Sequence, residues 1–185
     1  MLTQLETVEQ TPPVYVAPTT LAEVAETIRE AALERARLKL RAWHQGLDLT
    51  TLLQRPDFLE YFRHELALAV ADTLSAHDPR LQTLYLFDPD VNVDSEAGVP
   101  GPVDPAVHLL AVVTAPSAAL DNFILALDRA LAAGLRALPA PQFAQRETVL
   151  DVSVITEGEA AQKRGLGALL VSVFAPPIKL WERAA

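Results

Sequence analysis

The sequence predicts an α+β fold: a small mixed β-sheet of three to four strands packed with helices and preceded by an N-terminal helical extension. Three observations lead there. Apolar residues recur at helical spacing through the first third of the chain, as at Leu59, Phe62, Leu66 and Val70. Beyond residue 80, short β-type runs alternate with longer helical stretches. Half of the 185 residues are hydrophobic, enough to bury a sizeable core. The divisions expected are an extended tail over 1–20, the helical extension over 21–55 and the main α/β domain over 56–185.

The tail holds Pro12, Pro13 and Pro18, which remove backbone donors, around the apolar trio Val14, Tyr15 and Val16. Thr20 and Glu23 then have the spacing of a capping box and start a long helix over 21–43. Its acidic residues come first (Glu23, Glu26, Glu30, Glu34) and its basic residues last (Arg35, Arg37, Lys39, Arg41), as the helix dipole favours. Leu21, Val24 and Ile28 form one stripe; Leu33, Ala36, Leu40 and Trp43 form a displaced one. Two roles fit this helix: packing across one domain, or touching the core with one stripe and a second subunit with the other.

A short helical turn over 49–54 and a helix starting after Pro56 and running to about 75 follow. His64 and His77 fall on or just past this helix and read as solvated. Leu84 and Leu86 alternate with Thr83, Tyr85 and Phe87 in a strand over 81–87. Residues 88–105 form a loop with four prolines and five acidic residues, Asp88, Asp90, Asp94, Glu96 and Asp104. The nearly continuous apolar run 107–113 reads as a central strand covered on both faces. Ser117 caps a helix of about 20 residues whose stripe is Leu120, Ile124, Leu127, Leu131, Leu135 and Leu138. A third strand spans 148–155, with Leu150, Val152 and Val154 on one side and Asp151 and Ser153 on the other. Thr156 and Glu159 predict a helix reaching about residue 174, weakened by Gly165 and Gly167. A last short strand is expected over 178–181.

Composition excludes several functions. Lys and Arg number 15 against 24 Asp and Glu, a net charge of −9, which opposes general nucleic-acid binding. The absence of cysteine removes disulfides, thiolate metal sites and a cysteine nucleophile. No apolar run approaches the roughly 20 residues of a membrane span, and the first ten residues lack the features of a secretory leader. A soluble cytoplasmic protein without membrane contact is the expectation.

The element order, with Leu84-Tyr85-Leu86-Phe87, the run from Val107 to Val113, the run Val149-Leu150-Asp151-Val152 and the closing Ile178-Lys179-Leu180-Trp181, resembles the nucleotidyltransferase superfamily, in particular its small bacterial members. The resemblance covers about residues 66–182. It implies a first strand ending in a Gly-Ser turn, a second strand carrying two aspartates, and a third carrying one more. Those carboxylates would hold two metal ions that align a nucleotide's phosphates. Asp151 matches the third carboxylate. Asp88-Pro89 replaces the Gly-Ser turn, and the paired aspartates fall on Ala106 and His108. Proline has no amide donor, and histidine is a poor ligand for Mg2+. The resemblance therefore implies a nucleotidyltransferase-like domain without catalysis, serving as a binding, regulatory or assembly protein, with no cofactor and with a protein partner or self-association as a possible homodimer. Nucleotide binding is disfavoured.

The rival is a metal-dependent nucleotidyltransferase whose Mg2+ site is rearranged from Asp88, Asp90 and Asp151, with Asp94 nearby. Asp88, Asp90, Asn92, Asp94 and Glu96 also have the alternation of a calcium loop, but Val93 and Val99 occupy the positions that need glycine and a bidentate glutamate. His108 and Asp151 are the candidate catalytic residues. Paired strands would let them hydrogen-bond, either for acid–base chemistry or to satisfy two polar groups on a sheet.

Overall fold

The computed structural model describes residues 20–40, 46–87, 105–173 and 176–184. The tail, Trp43 and the acidic loop with Asp88, Asp90 and Asp94 lie outside the described residues, as does the calcium-type spacing.

The fold is α+β, with a four-stranded mixed sheet packed with helices. Helix α1 (Leu21–Leu40) opens with the expected capping box: Glu23 N–H donates to Thr20 Oγ1 at 3.2 Å and Thr20 N–H to Glu23 Oε2 at 2.8 Å. It buries Ala25, Ile28, Ala32, Leu33, Ala36 and Leu40. Short α2 (Leu49–Leu53) leads into α3 (Pro56–His77). Lys39 of α1 pairs with buried Glu65 of α3, and Arg29 of α1 donates to the Gly134 carbonyl at 2.9 Å. That carbonyl belongs to α4 (Ala118–Arg136), so α1 is tied to both neighbours.

Strands β1 (Leu81–Phe87) and β2 (Val107–Val113) are antiparallel, with Phe87 opposite His108. After β2 the chain crosses through α4 and the short α5 (Pro141–Ala144) to β3 (Leu150–Thr156), which runs parallel to β2. The closing strand β4 (Ile178–Glu182) pairs antiparallel with β1, giving the order β3-β2-β1-β4. Val107, Leu109, Ala111 and Val113 face a core shared with α1, α3 and α4. Leu110, Val112 and Ile155 face the other way and meet Tyr85, Phe87, Ala160, Leu169 and Leu170. The central strand is thus apolar on both faces, as its sequence requires.

The helix expected to reach residue 174 is shorter and broken. Helix α6 (Glu157–Gln162) has the predicted Thr156–Glu159 capping box, but Lys163 turns left-handed at φ 54° and a 3-10 turn (Gly165–Val171) follows. Gly167 explains the turn's seat: a Cβ there would lie 2.5 Å from the Glu159 carbonyl oxygen. A side chain cannot be accommodated where the 3-10 turn folds back on α6.

One polar knot closes the end of the sheet where α3 enters β1. Buried Asp78 accepts from Arg80 N–H at 2.8 Å, Arg80 Nε at 3.0 Å and Arg80 Nη2 at 2.8 Å. Arg80 also bonds Ser117 Oγ, which accepts from Leu120 N–H and caps α4. The Arg80 hydrogen bonds hold the Asp78 carboxyl below the usual carboxylate range. A depressed folded value stabilises the fold above the unfolded pKa of about 3.9 and loses that contribution as pH falls through the folded one. Asp78→Asn is expected to cost roughly 2 kcal/mol at pH 7. The gap between wild type and variant in denaturant midpoints closes as pH is lowered through 4 towards 2.

Candidate functional site

His108 and Asp151 are register partners across the parallel β2–β3 ladder. Their neighbours Val107, Leu109, Leu150 and Val152 face the helical core, so alternation turns both side chains onto the opposite face. There His108 Nδ1 lies 3.0 Å from Asp151 Oδ2. A carboxylate only accepts, so with Asp151 ionised Nδ1 carries the proton; in the neutral imidazole Nε2 then keeps a lone pair. The His108 side chain is 16% exposed and that of Asp151 66%. The imidazole is therefore the more buried partner, and the carboxylate reaches solvent.

Aromatic residues flank the pair. The Phe87 ring sits 5.8 Å from the His108 imidazole, tilted by 49°. Tyr85 lies two residues back on the same side of β1, and its register partner on β4 is Lys179. Lys179 donates to Glu182 at 2.8 Å, a bond that raises its pKa. This end of the face combines an oriented imidazole, an accessible carboxylate and aromatic surface. It can exchange a proton at Nε2 or present hydrogen-bonding groups to a partner.

Other candidates lie elsewhere. His77 stacks on Phe123 at 3.6 Å, and half-buried His64 has its pKa lowered by burial and then by the Lys39 charge. Asp88 and Asp90 lie outside the described residues. Among the described residues no group of three His, Asp or Glu side chains is placed to hold a metal ion, and no helix is long and apolar enough to cross a membrane. Ala106, two residues before His108, has no side-chain atom able to bind a metal.

Sequence reasoning missed the residue that sets β3 in place. Asp128 of α4 is buried, and its Oδ1 accepts from the N–H groups of Val149 at 2.7 Å and Leu150 at 2.8 Å. The signal was available: an aspartate directly beside Leu127 on the edge of an otherwise apolar stripe needs a hydrogen-bonding reason to be buried. By pinning the start of β3, Asp128 sets the register that brings Asp151 to His108. Compared with family models, with curated proteins and with solved structures, the chain matches none.

Proposed function

We propose that the chain is a nucleotidyltransferase-like domain that acts as a binding, regulatory or assembly protein and not as a transferase. The observation that carries this reading is the His108–Asp151 hydrogen bond. In the resembled family, carboxylates at these strand positions face two metal ions. Here one Asp151 oxygen is engaged by an imidazole, Ala106 has no side-chain oxygen, and Mg2+ favours several hard oxygen ligands. The described residues do not fit a two-metal centre. What they fit is contact: a hydrogen-bonded pair beside Phe87 and Tyr85, on a protein whose net charge of −9 favours basic partner surfaces over phosphates.

Calorimetric titration of ATP with Mg2+ or Mn2+ tests this. The expected result is no metal-dependent ATP binding. Tight metal-dependent binding that is lost in Asp151→Ala would overturn the reading and establish the rival transferase built on Asp88, Asp90 and Asp151.

A further inference from the structure

We propose that the outer side of the 3-10 turn docks on an anionic lipid surface, with Leu166, Val171 and Val173 at the acyl boundary and Lys163 and Arg164 among the headgroups. The inference goes beyond the proposed function. Such contact needs no membrane span, so it departs from the expectation of no membrane contact, which rested on the length of apolar runs.

The turn is apolar on both sides. Its inner side meets the sheet: Leu169 and Leu170 pack against the cluster of Leu110, Val112 and Ile155, and Gly167 is seated on the Glu159 carbonyl. In a 3-10 helix residues three apart lie in line, so Gly165, Ala168 and Val171 share one side, and Gly167 and Leu170 another. The first three are all exposed. Leu166 is 45% exposed, Val171 47% and, just past the turn, Val173 83%. A surface helix ordinarily turns polar residues outward, and one that is apolar all round ordinarily has cover on every side.

Charge identifies the cover. Lys163 and Arg164 stand exposed immediately before the turn, and neither is ion-paired among the described residues. On the same acidic chain Arg55, Arg80 and Lys179 each hold a carboxylate at 2.8 Å. No charged residue occurs from Gly165 to Ile178. The nearest acids in the chain are on α6, where Glu159 is engaged by the Thr156 capping box and Glu157 lies in the first turn. Two unpaired cations beside an uncharged aliphatic face match an anionic headgroup layer over acyl chains. A protein partner is disfavoured, because the side chains from Gly165 to Val171 offer no hydrogen-bonding group and no aromatic anchor. Acyl chains ask for neither.

The backbone also suits a lipid boundary, where polar groups must be satisfied internally. Gly167 N–H donates to the Arg164 carbonyl at 2.9 Å and Ser172 N–H to the Leu169 carbonyl at 3.1 Å. The acid excess elsewhere, a net charge of −9, is largely screened from the surface beyond about 8 Å at physiological salt.

Co-sedimentation of the full chain with vesicles provides the test, using phosphatidylcholine with phosphatidylserine and phosphatidylcholine alone. The wild type is expected to pellet with the first and much less with the second. Lys163→Gln or Arg164→Gln alone weakens binding about fivefold, and Val171→Asp about tenfold or more. These positions are exposed, and circular dichroism confirms that each variant is folded. Because the chain has no cysteine, Val173→Cys takes a single environment-sensitive fluorophore. Its emission is expected to brighten and shift to the blue on the anionic vesicles. The same label at Leu125→Cys, on α4 across the sheet, stays unchanged. A wild type that remains in the supernatant, equal binding to both vesicles, binding indifferent to Val171→Asp and to both glutamine variants, or equal responses of the two labels overturns the proposal. So do dimers that Val171→Asp dissolves in sedimentation velocity while vesicles go unbound.

Discussion

Asp128→Ala is expected to destabilise the protein by roughly 3–4 kcal/mol, seen as a lower denaturant midpoint at unchanged slope. The carboxylate is 4% exposed and accepts two backbone N–H bonds. Alanine would leave both donors without that acceptor where water enters poorly, and each orphaned donor costs about 1–3 kcal/mol. Asp128→Asn keeps an acceptor oxygen in nearly the same place, so its loss is expected to be clearly smaller. The change also loosens the start of β3, and the His108 ring resonances are expected to shift although His108 lies on the opposite face.

Phe62→Ala is expected to cost about 3–5 kcal/mol. Phe62 is 1% exposed and stands between two other buried rings, stacked 6.5 Å from Phe58 and edge-on to Phe143 at 6.1 Å. Removing it opens a cavity that two rigid rings cannot collapse to fill. Phe143 belongs to α5, in the connection between α4 and β3, so the void also frees the chain that leads into the site strand. Phe62→Leu retains most of the volume and is expected to lose much less, as calorimetric melting would show.

Most of the architecture was legible because periodicity reports burial directly. The double-sided apolar run of β2, the alternation of β1 and the Ser117 cap of α4 each had one physical interpretation. The His108–Asp151 contact was legible only on the expectation that the two strands pair as in the resembled family; strand phase then put both side chains on one face. The break after α6 was less legible, because a capping box predicts where a helix starts but not how long it lasts. Gly165 and Gly167 marked the weak point, yet the close seat of Gly167 on the Glu159 carbonyl is a tertiary fact. Helix α5 was missed because Pro141 reads equally as a stop for one helix and as the first residue of another. Asp128 was missed because a single aspartate on a helix ordinarily faces water.

The register of the first two strands has a further consequence. Phe87 lies opposite His108, so a two-residue turn would suffice to join β1 to β2. The chain uses residues 88–106 instead. Closing the longer connection costs only about 2 kcal/mol more in chain entropy than a two-residue one. The sheet therefore tolerates the long acidic insertion but does not need it. Its length and its charge are variables that selection can set separately from folding.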